Sequence, residues 1–147
     1  MIDLAPHIGS RRTWSTEVRR EHTVPALPLA EPALAAMPEV LATPMLVAMA
    51  ECACAAHLAS LGGPDLLSVG TDVQIAHTAA TPVGLTVTLA TEIVAVDGRL
   101  VSFAFTAHDG IEAAGNGRHT RAIVVRERFA QRLAEKQARI ARPDRGG

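Results

Sequence analysis

Three polar residues, Thr43, Glu51 and His77, stand where their side chains can do chemistry among apolar or small neighbours. Glu51 lies in the middle of an apolar stretch, TPMLVAMAECACAAHLASL, which covers residues 43–61. His77 is followed by the small-residue segment TAATP at 78–82. A carboxylate and an imidazole can act as a general base and its orienting partner, and a threonine hydroxyl can bind or attack a carbonyl. These three residues are therefore candidates for one catalytic group.

Glu51 is expected to be buried, because the stretch that carries it has almost no polar face. A helix that is apolar all round is normally a buried one. Burial of an unpaired carboxylate is costly, and it would raise the pKa of Glu51 towards the range that suits a general base. The alternative interpretation is a structural carboxylate that binds backbone N–H groups or faces a second copy of the chain.

Thr43 is predicted to cap the N-terminus of the apolar helix, with Pro44 in the first helical position. The free N–H groups at that end can stabilise an oxyanion. Thr43 and Glu51 would be about 12 Å apart along the helix, so they can touch one substrate from two ends, or meet through His77 or another copy. His77 is predicted at the end of a strand, and a satisfied polar residue is its alternative role.

Weaker signals come from a glycine and two arginines. Gly70 lies within a predicted strand, where a glycine permits close approach of a ligand or marks a bulge. Arg118 and Arg121 near the last strand can hold a phosphate, although a solvated charged face is the default. The sequence shows no phosphate-binding loop, dinucleotide fingerprint, paired-cysteine motif or metal-ligand cluster, so we expect no cofactor and no metal.

The elements that must position these residues follow from hydrophobic periodicity and turn signals. The helix is predicted over Thr43–Leu61, after an irregular proline-rich flap at 25–42 with one helical turn near Ala33–Met37. Strands are predicted at Thr13–Val24, Leu66–Ala76, Gly84–Val96, Arg99–His108 and Ile111–Val125, with bulges at Gly115 and Gly117, and an outer amphipathic helix at Arg126–Ile140. Residues 1–11 and 142–147 are expected to be loose tails of one domain spanning 1–147.

This order predicts an α+β fold of the hot-dog type, a curved antiparallel sheet wrapped around one long central helix. The helix is apolar on every side, and a second copy of the domain would cover the part that the sheet leaves open, so we expect a homodimer.

The composition excludes several partners. The 147 residues carry a net charge near −1, which does not favour nucleic acid or an anionic membrane, and the absence of Tyr argues against base stacking. Cys52 and Cys54 would point roughly 200° apart on the helix, so they are interpreted as two free thiols in a reducing, cytoplasmic setting. The N-terminus lacks the apolar run of a signal peptide, and the apolar helix is judged short for a membrane span.

Three segments resemble the fluoroacetyl-CoA-thioesterase-like branch of the hot-dog thioesterases. They are PEVLATPMLVAMAECAC at 38–54, SVGTDVQIAHTAATPVGLTVT at 68–88 and FTAHDGIEAAGNGRHTRAIV at 105–124. The resemblance covers roughly residues 38–130, and the HTAATP string is its most specific part. It implies hydrolysis of a short acyl thioester of coenzyme A.

The resemblance also implies roles for individual residues. Thr43, Glu51 and His77 match the family's catalytic group, with His77 as base or charge partner and Thr43 as nucleophile or water-positioning hydroxyl. Gly70 matches a site for the thioester carbonyl, and Arg121 matches a position near the active site.

One departure concerns the acyl pocket. The fluoroacetyl-specific members gate it with aromatic residues before the helix, whereas Leu34 and Met37 occupy that region here and no aromatic residue lies between Trp14 and Phe103. Selectivity for a fluorinated acyl group therefore does not follow. The alternatives are a non-catalytic acyl-CoA or acyl-carrier binding module and, with no matching motif, an enoyl-CoA hydratase or dehydratase.

Overall fold

A computed structural model describes residues 2–140, which form one five-stranded antiparallel sheet and three α-helices. The strands follow the order β1-β3-β4-β5-β2 across the sheet. Their bounds are β1 Arg11–Glu17, β2 Leu67–His77, β3 Thr86–Asp97, β4 Leu100–His108 and β5 Ala113–Val124, and the helices are α1 Pro32–Ala35, α2 Thr43–Gly62 and α3 Arg126–Ile140. The tail predicted at 142–147 lies outside the described residues.

Helix α2 packs against the sheet and connects its two edges, because β1 precedes it and β2 follows it. It ends at Gly62, where Gly63 takes a φ of +83°, a backbone conformation that favours glycine. The prediction that Thr43 is the N-cap is wrong by one residue: Ala42 is the N-cap, and no side chain caps this end. The Thr43 hydroxyl is therefore available for another partner.

The core lies between α2 and the inner face of the sheet. The alternation predicted for β3 is confirmed, since Val87, Leu89, Thr91 and Ile93 are all buried. On β4 the inward side chains are Val101, Phe103, Phe105 and Ala107. Burial of these side chains from two adjacent strands holds the centre of the sheet against the helix.

His57 is buried on α2 between two hydroxyl groups. Its Nδ1 lies 2.9 Å from the Thr91 Oγ1 and its Nε2 lies 2.9 Å from the Ser10 Oγ. Because the Thr91 hydroxyl donates to the Arg12 carbonyl, it accepts from His57 Nδ1–H, and Nε2 is then the acceptor for Ser10. Burial lowers the pKa of His57, which agrees with this neutral, structural role.

The predicted elements before α2 differ most from the structure. Strand β1 ends at Glu17 rather than at residue 24, because two short 3₁₀ turns follow, Arg20–His22 and Val24–Ala26. The flap does contain one helical turn, α1, although it is shorter than predicted. Pro25 belongs to the second 3₁₀ turn, and its missing N–H cannot continue a strand ladder.

The predicted bulges at Gly115 and Gly117 are also misplaced. The pairing of β4 with β5 shifts at Ala114, beside Gly115, and the pairing of β2 with β5 shifts at Thr71. Gly117 pairs regularly; a Cβ there would collide with the Gln74 carbonyl oxygen. This glycine therefore allows two strands to approach closely rather than interrupting their ladder.

Helix α2 is not buried on every side. Thr43, Pro44, Glu51, Cys52 and Ala59 are exposed in the single chain. With 20 residues, α2 is long and apolar enough to cross a membrane by length and composition, which corrects the judgement that it is too short. Its inner face nevertheless packs in the core beneath the sheet.

Candidate active site

Thr43 and His77 form a hydrogen-bonded pair at the N-terminal end of α2. The Thr43 Oγ1 lies 2.8 Å from His77 Nδ1. Helix α2 presents the threonine in its first turn, and β2 presents the histidine as its last residue. A hydroxyl that donates to an imidazole nitrogen is the contact by which a general base activates a nucleophile or a bound water.

The other ring nitrogen of His77 has no partner. Its Nε2 is buried, and no described atom of the chain is within hydrogen-bond reach of it. When Nδ1 accepts from Thr43, Nε2 carries the proton, so the buried unpaired group is a donor. An unsatisfied buried donor costs about 1–3 kcal/mol. This arrangement indicates an acceptor that residues 2–140 of one chain do not supply.

A cavity of about 300 Å³ opens beside this pair. Residues from the start of α2, the end of β2 and the loop after it, and both ends of the flap line it: Val24, Val40, Leu41, Thr43, His77, Thr78, Ala79 and Ala80. Leu34 and Met37, predicted to bind substrate, do not line it; both side chains lie exposed in or just after α1. The cavity is wide enough for a short acyl group, and its walls are mostly apolar or small.

Glu51 is not buried in the single chain, and this prediction is wrong. Its side chain is 48% exposed, two turns along α2 from Thr43. It contacts neither Thr43 nor His77; its described polar neighbours are His119 and Arg121 on β5. An apolar helix surface can be reserved for another chain as well as for the core, and the composition of α2 does not distinguish the two.

A second polar cluster surrounds Glu51 below Gly70. The Glu51 Oε1 lies 3.7 Å from Arg121 Nη1 and 3.9 Å from His119 Nε2. Gly70 pairs with Arg121 across the strands, and a Cβ at Gly70 would collide with the Glu51 carboxylate. The group that approaches Gly70 closely in the structure is the Glu51 side chain, next to a bulge at Thr71, and the approach of a ligand stays a prediction.

Arg121 is buried and held by Ser68. Its Nε donates to the Ser68 Oγ at 2.8 Å, and its Nη2 donates to the Ser68 carbonyl oxygen at 3.0 Å. Arg118 lies on the other face of β5, so the two arginines do not form the phosphate-binding pair that the sequence suggested. The guanidinium instead places a fixed positive charge beside Glu51.

His119 is the residue of this cluster to which the sequence assigns no role. Alternation along β5 contains the signal, because His119 and Arg121 share the inward face with Gly115 and Gly117. Two polar side chains on an inward face beside an apolar helix require partners. Over residues 2–140 no group of three or more His, Cys, Asp or Glu side chains is arranged to hold a metal ion.

The family model described as fluoroacetyl-CoA-specific thioesterase matches residues 16–127. The chain belongs to this family. The match includes both polar clusters, and it confirms the family that the three sequence segments indicated.

Relatives of known structure or activity agree with this assignment. The fluoroacetyl-CoA thioesterase of Streptantibioticus cattleyicolor is 40% identical over 129 residues, covering 88% of this chain and 93% of the relative. A solved structure of the fluoroacetyl-CoA thioesterase FlK is 40% identical, with a TM-score of 0.82 and coverage of 88% and 96%. A mutant of that enzyme in complex with fluoroacetate and CoA is 41% identical, with a TM-score of 0.78 and coverage of 83% and 98%.

A more distant match concerns the fold alone. A hot-dog-like protein from Thermanaerovibrio acidaminovorans is 20% identical, with a TM-score of 0.77 and coverage of 92% of this chain and 97% of the other. The predicted hot-dog fold is therefore confirmed for this member of the thioesterase family.

Proposed function

We propose that this protein is a thioesterase that hydrolyses a short-chain acyl-CoA to the free acid and CoA. Membership of the thioesterase family confirms the prediction of a thioester hydrolase. The observation that carries the proposal is the 2.8 Å contact between Thr43 Oγ1 and His77 Nδ1 beside a cavity of acyl size. The CoA complex of the FlK mutant supports a CoA thioester as the substrate class.

The catalytic roles follow from this contact. His77 accepts the proton of the Thr43 hydroxyl or of a water that Thr43 positions, and the oxygen attacks the thioester carbon. The bond to sulfur then breaks, and the sulfur takes up a proton as CoA leaves. Where Thr43 is the nucleophile, a water that His77 deprotonates then hydrolyses the threonine ester and releases the acid. Gly70 and Arg121 remain candidates for contacts with the thioester, as the resemblance implies.

In this proposal, the Glu51 that contributes to each catalytic site belongs to a second copy of the chain. Within one chain it contacts neither Thr43 nor His77, and among the residues that the structure describes His77 Nε2 has no acceptor. A homodimer that places Glu51 of one copy against His77 of the other would satisfy both groups and orient the imidazole. Each dimer would then contain two equivalent sites.

The exposed surfaces support a dimer. Strand β2 is an edge of the sheet, and its inward-facing Val73 is 40% exposed. The exposed side of α2, with Glu51 and Cys52, is on the same side of the sheet as Val73. An unpaired strand edge beside an apolar helix face suits association by continued strand pairing. Light scattering on the native protein should give twice the chain mass, and Val73→Asp should lower it.

The acyl group is a separate part of the proposal. No aromatic side chain lies in the flap, and Leu34 and Met37 stay clear of the cavity, so we expect little preference for fluoroacetyl-CoA over acetyl-CoA. Cys52 and Cys54 are free thiols, as expected in a reducing compartment, so a cytoplasmic location stays a prediction.

The test is release of CoA thiol from acetyl-, propionyl- and fluoroacetyl-CoA. The native enzyme should release thiol, and Thr43→Val, which removes the hydroxyl with little change in volume, should lose at least about 100-fold in kcat/KM. The matched control is Thr88→Val, because Thr88 also bonds a side chain, Ser15, but on the outer face of the sheet. Equal thiol release by Thr43→Val and the native enzyme would refute the proposed mechanism, and binding of acyl-CoA without any release would identify a non-catalytic module.

A further inference from the structure

His119 is a buried imidazole to which neither the sequence nor the proposed catalysis assigns a role. It is 2% exposed on the inward face of β5, between Arg121 of the same strand and Glu51 of α2. A histidine in such a position is either a packing residue or a device that orients its neighbours. Its hydrogen bonds decide between these roles.

The partners of His119 fix its protonation. Its Nδ1 lies 2.8 Å from the carbonyl oxygen of Asp72, which can only accept, so Nδ1 carries a proton. Its Nε2 lies 3.1 Å from Arg121 Nη1, which can only donate, so Nε2 is an unprotonated acceptor. The ring is therefore neutral, with its proton on Nδ1.

The surrounding charges agree with a neutral ring. Burial, and next the charge of Arg121, lower the pKa of His119, and they outweigh the hydrogen bond to Asp72 that favours the charged form. Glu51 and the side chain of Asp72 act in the opposite direction. The thiol of Cys54, also close to Arg121 and Glu51, stays protonated because burial raises its pKa to about 12.

The neutral ring supplies the third hydrogen-bond acceptor of the Arg121 guanidinium, at Nη1. Ser68 accepts from Nε and Nη2, and His119 accepts from Nη1, while the Glu51 carboxylate stays 3.7 Å from Nη1. Without the imidazole nitrogen, Nη1 would have Glu51 as its nearest acceptor. The existing 3.7 Å ion pair could then shorten to a direct hydrogen bond, which would hold Glu51 to its own chain.

We propose that His119 is a positioning residue: by accepting from Arg121 Nη1 it keeps the Arg121–Glu51 ion pair long, so that the Glu51 carboxylate can act at the catalytic site. This inference rests on the proposed function, because it assigns Glu51 to that site. His119 itself does not touch the reacting atoms. The residue therefore acts on turnover through Glu51 and Arg121.

Two amide variants of similar polarity separate the two hydrogen bonds of the ring. In His119→Gln the amide reaches the position of Nε2 and again offers an acceptor to Arg121. In His119→Asn the shorter amide reaches only the position of Nδ1, so it keeps a donor for the Asp72 carbonyl and loses the acceptor. We expect His119→Asn to lose about 10- to 100-fold in kcat with KM within about twofold, and His119→Gln to retain most of kcat.

A double-mutant cycle excludes a general structural effect. In a Glu51→Gln background, His119→Asn should cause little further loss of kcat, because the carboxylate that His119 protects is already gone. Equal kcat for His119→Asn and the native enzyme, equal losses for Asn and Gln, or additive losses with Glu51→Gln would each overturn the proposal.

A measurement on the unmodified protein tests the arrangement without relying on activity. Nitrogen-15 NMR of the His119 ring at pH 7 should show a neutral imidazole with its proton on Nδ1. A charged ring, or a proton on Nε2, would overturn the proposal even if the enzyme is active. If the ring is as expected while no acyl-CoA is hydrolysed, the proposed function fails and the hydrogen-bond arrangement stands.

Discussion

Substitution of Gly70 by alanine should separate activity from stability. The added Cβ would collide with the Glu51 Oε1 and would lie 3.0 Å from the His119 Cε1. Gly70 does not have a positive φ, so alanine can adopt its backbone conformation. The strain therefore falls on the neighbouring side chains of Glu51 and His119.

The size of each effect follows from what must move. The Glu51 carboxylate is the end of a flexible, half-exposed side chain, and a displacement of about 1 Å restores ordinary contact. Stability should change by less than about 1 kcal/mol, since alanine also restricts the unfolded chain. A misplacement of about 1 Å in a catalytic carboxylate can cost about 100-fold in rate, so kcat/KM should fall by at least about tenfold.

Gly117→Ala is the matched control in the neighbouring strand. A Cβ there would collide with the Gln74 carbonyl oxygen and lie 2.7 Å from the end of the Phe105 ring, neither of which can move freely. This variant should lose about 1–3 kcal/mol of stability, which lowers Tm by about 2–4 °C per kcal/mol in a chain of this size.

The assays are thermal unfolding and thiol release from acetyl-CoA, measured for both variants. Full activity in Gly70→Ala would refute the reasoning, and so would a loss of Tm as large as that in Gly117→Ala. If the effect passes through Glu51, adding Gly70→Ala to Glu51→Gln should cause little further loss of activity.

Three further predictions concern other parts of the chain. Thr43→Ser should keep a larger share of kcat than Thr43→Ala, because serine retains the hydroxyl that bonds His77; equal values in a thiol-release assay would contradict this. The backbone N–H groups of Glu112 and Ile111 lower the pKa of Asp109, so the stability that this carboxylate contributes is complete above its usual pKa and is lost as the pH falls below about 4. Chemical denaturation should therefore show that the difference in stability between the native protein and Asp109→Asn narrows over that range. A constant difference would be the opposing result. Burial raises the pKa of Cys54 to about 12, so at pH 8 this thiol should react with iodoacetamide only after the protein unfolds. Mass spectrometry of the labelled peptide measures this reaction. Rapid labelling of Cys54 in the folded protein would be the contrary outcome.

The sequence predicted the sheet and the outer helix well, because their signals are local. Alternation in β3 and β4 marks the inward residues, and the Asp97-Gly98 turn, with Gly98 at a φ of +57°, separates them correctly. The sequence places the end of β1 too late, because weak alternation does not show where an edge strand ends and 3₁₀ turns begin.

The candidate site was predicted in its members but not in its arrangement. The sequence marks Thr43 and His77 by separate signals, and only the fold shows that the hydroxyl bonds the imidazole instead of capping α2. The sequence predicts a buried Glu51, because hydropathy cannot distinguish an apolar helix surface that packs in the core from one that stays exposed in the single chain. Alternation along β5 puts His119 and Arg121 on one face, but only the fold shows that His119 contacts Arg121 and the Asp72 carbonyl.

The strand order has a consequence for how this chain folds. Strands β3, β4 and β5 are consecutive and join through short turns, so their pairing closes small loops, whereas Arg11 of β1 pairs with Glu92 of β3, far along the chain. Closing a long loop costs entropy before any contact is gained, so we expect the three-stranded meander to assemble early and β1 to dock late. Transient release of β1 would open the side of the core that holds Ser10 and His57, while the Thr43–His77 pair depends on α2 and β2 at the opposite edge of the sheet.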